Sequence, residues 1–198
     1  MASSFMTPDE LVSRGLLAVD LTAQISRHAT FYGAERITVG AYSRIDDFCV
    51  LSAGAGGITI GRHVHVSVMA SMQGAGAITV GDFATISSRV ALYSSSDDYS
   101  GGAMTNPTIP RAFRDVDDRP VEVAPHAIIG AASIILPGVV IGTGAGVAAM
   151  SLVKHTCEPF SMNAGVPARR IGDRSRGTVE ARARWTRETA VQVMPDTT

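Results

Sequence analysis

The sequence predicts an all-β fold in which short parallel strands wind into a stacked triangular prism of about five coils. Three observations predict it: a repeat of 20 or 21 residues, a period of six inside that repeat, and a composition almost without rings. The repeat is read directly. Gly33-Ala34-Glu35-Arg36-Ile37-Thr38-Val39-Gly40 returns as Gly54-Ala55-Gly56-Gly57-Ile58-Thr59-Ile60-Gly61 and again as Gly74-Ala75-Gly76-Ala77-Ile78-Thr79-Val80-Gly81. Within it Val39, Ile45 and Leu51 are six apart, as are Ile60, Val66 and Met72, and Val80, Ile86 and Leu92. The beat resumes at Val123, Ile129, Ile135, Ile141, Val147 and Val153.

A six-residue period suits neither an α-helix nor a simple strand. It suits a short strand plus a corner, three of which close a triangle, with successive coils about 4.8 Å apart. Four residues after most of these aliphatics stands a small or β-branched residue, such as Ser43, Cys49, Val64, Ala70, Ala84, Ala127, Ser133, Ala145 or Ser151. The aliphatic fills the prism and the small residue fits the crowded corner. That explains 45% hydrophobic residues and 20 glycines beside only 6% aromatics in 198 residues. An α-helical solenoid needs amphipathic runs of about ten residues or more, and none occurs in this span.

The same composition excludes other classes. High hydrophobicity with a net charge of −1 excludes disorder, and the glycines lack a three-residue period, which excludes a collagen-like chain. With 18% charged residues there is no basic field to recruit nucleic acid or an anionic membrane. No apolar run approaches the roughly 18–20 residues of a membrane span. The first residues carry Asp9 and Glu10 where a signal peptide has a basic flank. Cys49 and Cys157 give neither a disulfide framework nor a metal spacing, which fits a reducing cytoplasm.

A single domain is expected, with a cap over 1–24, the coil over 25–171, and a C-terminal helix and tail over 172–198. Thr7-Pro8-Asp9-Glu10 is a capping box that opens a short helix from Pro8 to about Leu16. A second helix, over 178–191, is expected with it to cover the open ends of the prism, with Trp185 as an anchor. Between Leu92 and Val123 the beat stops for an excursion over 94–122, where Asp97, Asp98, Tyr99 and Asn106 gather beside Gly101 and Gly102. A loop of that length is usually functional.

The hexad, held at fifteen aliphatic positions over roughly 25–171, resembles that of the hexapeptide-repeat acyltransferases, whose fold is a left-handed parallel β-helix. Ser-Asp-Asp-Tyr-Ser-Gly at 96–101 with Asn106-Pro107, and a histidine one coil earlier, resemble the members that acetylate sugars of bacterial surface polysaccharides. The resemblance implies the left hand, a homotrimer, an active site that the excursion helps build between subunits, and acetyl-CoA as acyl donor. Val147 to Lys154 and Asn163 to Arg169 are similar to the segments that line the coenzyme A groove. There Ala131 and Ala149 leave room for the pantetheine arm, and Lys154, Arg169 and Arg170 offer cations for the phosphates. Two departures stand out: the excursion carries no histidine, and Ala148 stands where glycine is more usual.

Acyl transfer needs a base for the attacking hydroxyl or amine, and histidine titrates in the right range. His63 and His65 share a hexad whose inward positions are Ile60 and Val64, so both point outward. The coil offsets place His65 between Arg44 and Thr85, and His63 between Tyr42 and Phe83. His65 is the expected base, with Asp97 or Asp98 as the carboxylate that orients it. His63, Tyr99 and Asn106 are the expected substrate contacts. With no nucleophile elbow and no cysteine–histidine arrangement, direct attack on the thioester is expected.

The expected activity is transfer of an acetyl group from acetyl-CoA to a sugar hydroxyl in surface-glycan synthesis. The nearest alternative places the acyl group on the amine of a nucleotide-linked amino sugar. Two further readings use the same scaffold: a non-catalytic β-helix, and a zinc enzyme using His63, His65 and His126. The last fares poorly because neighbours two apart on one strand converge badly on one ion. No metal is expected.

Overall fold

The computed structural model describes residues 4–193, and residues 189–193 in their backbone only. Residues 1–3 of the expected cap and 194–198 of the expected tail lie outside the described residues. The chain forms a parallel β-helix with three faces of six, eight and six strands. Pairing between coils is parallel and in register: Ile37, Ile58, Ile78 and Val121 stack on the first face, and Ile45, Val66, Ile86 and Ile129 on the second. Leu51, Met72, Leu92 and Ile135 stack on the third.

All fifteen hexad aliphatics are buried, most of them at 0–1% exposure. Each contributes roughly 1.5–3 kcal/mol by leaving water. The serines at the small positions are buried with partners. Ser43 Oγ donates to the Gly61 carbonyl at 2.7 Å and accepts from Val64 N–H at 3.0 Å. Both cysteines are free, buried thiols, each pushed up to about 11 by burial.

The coil is longer than the repeat alone suggests. Six complete coils and a partial seventh are present, against an expectation of about five. The extra first coil begins at Ala18–Val19, which pairs with Thr38–Val39 inside the segment assigned to the N-terminal cap. It carries Leu17-Ala18-Val19 where the later coils have the Ile-Thr-Val of the Gly-x-x-x-Ile-Thr-Val signature. The last rung is Ser161–Gly165, which turns back as an antiparallel hairpin with Ala168–Asp173.

Helix α1 (Pro8–Ser13) carries the expected capping box and closes the N-terminal end by burying Leu11, and it stops short of Leu16. Helix α2 (Gly177–Val193) does not cover the other end. It runs back along the outside of one corner, with Arg176 over the Phe160 ring, Arg182 over Phe83, and Trp185 against His63 and Phe83. The reason is local: the final hairpin already pairs the last rung, while this corner offers an unbroken run of rings.

Corners turn through left-handed backbone, a conformation side chains other than glycine rarely adopt. At the corner between the first and second faces Tyr42, His63, Phe83 and His126 have φ of 58°, 54°, 63° and 62°. At the next, Phe48, Met69, Arg89, Ala132 and Met150 do the same. The ladders on either side of each corner hold this conformation in place. Elsewhere close stacking demands glycine. A Cβ on Gly130 would lie 2.4 Å from the Ala149 nitrogen.

The excursion leaves the prism after Tyr93 and returns at Val121. Ser95–Asp97 and Val116–Asp118 pair as an antiparallel hairpin. Ser95 ties it to the coil, accepting from Ala75 N–H at 2.6 Å and donating to Asp118 at 2.5 Å. Truncating Ile86, fully buried mid-stack, to alanine should cost about 2–5 kcal/mol, read as a lower urea midpoint with an unchanged slope.

Candidate active site

His65 sits on the second face with Arg44 in the coil below and Thr85 in the coil above, as the offsets require. Its side chain is 44% exposed, and its Nε2 lies 2.8 Å from Asp46 Oδ2. Asp46 is the residue that sequence reasoning missed. It directly follows Ile45, so it points outward beside Arg44, diagonally below His65. Its other oxygen accepts from Arg44 Nε at 2.5 Å. Burial pushes the Asp46 carboxyl up, but the hydrogen bonds and charges of His65 and Arg44 outweigh it and hold the group below its ordinary value. The ionised carboxylate can only accept, so Nε2 carries a proton, and in the neutral tautomer of the ring Nδ1 is the nitrogen with the lone pair.

The carboxylate hydrogen-bonded to His65 is therefore Asp46 and not Asp97 or Asp98. Those two belong to the excursion, which springs from the third face. Asp98 is held by its own turn, accepting from Ser100 N–H and Oγ–H and from Gly102 and Ala103 N–H. These bonds, that from the Ser100 hydroxyl first, keep its pKa low. Asp97 has one long backbone contact, from Asn106 N–H at 3.3 Å. It lines a cavity of about 520 Å³ between the hairpin and the third face, with Ser52, Gln73, Tyr93, Ser96 and Arg114. The Arg114 Nε is buried there without a hydrogen-bond partner. Asn106 closes a turn by accepting from Thr108 N–H and Oγ–H, and Tyr99 is 94% exposed at the excursion's tip.

His63 is stacked between Tyr42 and Phe83, with ring centroids 4.9 and 5.0 Å away. Burial, then the Arg62 and Arg182 cations, hold its pKa below the ordinary histidine value, against a smaller opposing effect of Asp82. Toward the C-terminal end, Ala131 and Ala149 are exposed neighbours at the second corner, where Met150 N–H donates to the Ala131 carbonyl at 2.8 Å. Arg169 and Arg170 line a groove of about 190 Å³ with His155, Glu158 and Asn163. Arg170 pairs with Asp173, and Lys154 is exposed nearby in sequence but does not line that groove. Among the described residues no group of three or more His, Cys, Asp or Glu side chains is arranged to hold a metal ion. Among the described residues no helix is long and apolar enough to cross a membrane.

The chain is 42% identical over 177 residues to dTDP-4-amino-4,6-dideoxy-D-glucose acyltransferase of Escherichia coli, spanning 89% of this chain and 92% of that one. It belongs to the hexapeptide-repeat sugar acyltransferases. Its β-helix is accordingly left-handed. The solved structure of AntD, an N-acyltransferase from Bacillus cereus in complex with dTDP and 3-hydroxybutyryl-CoA, superposes with a TM-score of 0.91 at 40% identity, covering 96% of this chain and all of that one. A serine-substituted AntD holding dTDP-4-amino-4,6-dideoxyglucose and coenzyme A gives 0.90 at 39% identity, over 95% of this chain and all of that one. No protein-family model matches the chain.

The Asp46 carboxylate carries a pH signature. A carboxyl held below its ordinary 3.8 in the folded state stabilises the fold above that pH, and the contribution is lost as pH falls through the lower folded value. Asp46→Asn should therefore be less stable than the parent at neutral pH, with the gap closing in strong acid. Urea midpoints measured from neutral pH down to about pH 3 would show it.

Proposed function

We propose that the protein transfers an acyl group from acyl-CoA to the amine of a nucleotide-linked amino sugar, as a homotrimer in the cytoplasm. The observation that carries the reading is the near full-length match to an acyltransferase for such a sugar. AntD, matched over its whole length, is an N-acyltransferase, and this favours an amine over the expected sugar hydroxyl as the acceptor group.

The cavity under the excursion suits the sugar. Its walls supply hydroxyls, an amide, Arg114, an Arg111 paired with Asp118, and the lightly bonded Asp97, which accepts a hydrogen bond from the amino group. Two of the solved AntD structures carry substitutions of a serine and of an aspartate ten residues apart, and Ser87 with Asp97 keeps that spacing here, as does Ser88 with Asp98. The donor is assigned to the second corner. Ala131 and Ala149 leave the pantetheine arm room there, and Arg169, Arg170 and Lys154 meet its phosphates.

That corner also presents Phe48, Met69 and Met150 at 56%, 46% and 74% exposure. A second copy that covers them encloses the donor groove, and this supports a trimer with its sites between subunits. In the reaction the amine lone pair attacks the thioester carbonyl, an N–C bond forms and the C–S bond breaks. The proton shed by nitrogen passes to His65 Nδ1, steadied by Asp46, and the thiolate leaves as coenzyme A. Nothing in this sequence requires an acyl-enzyme.

His65→Asn should lower kcat about 10²–10⁴-fold with an unchanged KM for acyl-CoA, and Asp97→Asn should raise the acceptor KM as well. Free-thiol release with dTDP-4-amino-4,6-dideoxyglucose reads both. Parental rates in both variants, or no release with any amino-sugar nucleotide, would overturn the assignment.

A further inference from the structure

At the corner between the first and second faces, the rings of Tyr42, His63, Phe83 and His126 stack with centroids 4.9, 5.0 and 5.1 Å apart. The inner rings cover each other's faces, so only their edges look outward. Trp185 of α2 stands across them at 86° to His63 and 84° to Phe83. The helix does not seal the corner. A groove of about 420 Å³ remains, lined by Tyr42, Arg62, His63, Phe83, Arg182 and Trp185, with Asp82 beside them.

Its charge is net positive, two guanidiniums against the one Asp82 carboxylate. Neither Arg62 nor Arg182 forms an ion pair with a carboxylate among the described residues. The Arg182 guanidinium lies 4.5 Å from the Phe83 ring centre, held at the groove rather than out in solvent. Asp82 Oδ1 is engaged by the Arg62 backbone N–H at 2.8 Å. Flat apolar walls flanked by two guanidiniums fit a planar heterocycle that carries phosphate. The groove also adjoins the dyad: His63, at the corner, precedes His65, on the second face, by two residues.

We infer that this groove binds the nucleoside diphosphate portion of a reactant, its ring against Tyr42 and Trp185 and its phosphates on Arg62 and Arg182. The inference rests on the acyltransferase reading, in which both reactants carry such a group: the nucleotide of the acceptor and the adenine nucleotide of coenzyme A.

Trp185 is the only tryptophan in the chain, so intrinsic emission reports on the groove directly. Thymidine diphosphate and coenzyme A are each titrated into the parent, Arg62→Ala and Arg182→Ala proteins, by emission and by calorimetry, with circular dichroism to verify the fold. One ligand should shift the emission saturably, and each arginine variant should weaken that ligand about tenfold while the other ligand binds as before. A response to thymidine diphosphate assigns the groove to the acceptor, whose sugar then enters the excursion cavity of a neighbouring copy, and a response to coenzyme A assigns it to the donor in place of Arg169, Arg170 and Lys154. Affinities indifferent to both arginines overturn the inference, and if acyl transfer persists in the parent the proposed function survives it. Arginine-dependent nucleotide binding by a parent with no acyl transfer does the reverse.

Discussion

Everything in this molecule depends on the vertical register of its hydrogen-bonded rungs. Parallel strands pair coil to coil without slippage, so a residue at one position of a coil lies directly over its counterpart in the next. The interior then admits a fixed set of aliphatics per rung, two on a first-face strand such as Ile37–Val39 and one on a second-face strand such as Arg44–Ile45. A one-residue slip would move a whole set of aliphatics outward, and with the inside filled on three faces no such slip is tolerated.

The outside inherits the same stacking, and there it makes chemistry. Arg44 and His65 are superposed because their neighbours Ile45 and Val66 are superposed, and the outward residue after Ile45 then reaches His65. The Arg44–Asp46–His65 set is thus a by-product of core register. It stands on the paired rungs of the coil, which fix the position of the proposed proton-transfer group. The same rule makes the ring ladder, since Tyr42, His63, Phe83 and His126 are equivalent corner positions of four successive coils. It also lines up Ala131 and Ala149, which leave one corner open to a slender donor.

Function gathers where the repeat is interrupted or decorated. A pure prism has flat faces and no concavity. The excursion adds a hairpin that stands over the third face and encloses a polar cavity. Helix α2 adds a wall beside the ring ladder and turns a row of ring edges into a groove. Both additions are tied back by specific contacts, Ser95 for the hairpin and Arg176, Arg182 and Trp185 for the helix.

The sequence by itself determined the prism, its inward residues, the capping box of α1, the excursion, and the neighbours of His63 and His65. All of these follow from a local period of six and a coil offset, and such patterns survive in one dimension. The first coil escaped because Leu17-Ala18-Val19 departs from the Gly-x-x-x-Ile-Thr-Val signature that marks the coils after it. Only the tertiary structure decided that Asp46 partners His65, that Asp98 serves its own turn, and that α2 runs along a corner rather than across an end. The physical reason is the same in each case. These contacts join side chains whose directions and competing partners are set by packing in three dimensions, so spacing alone cannot rank them.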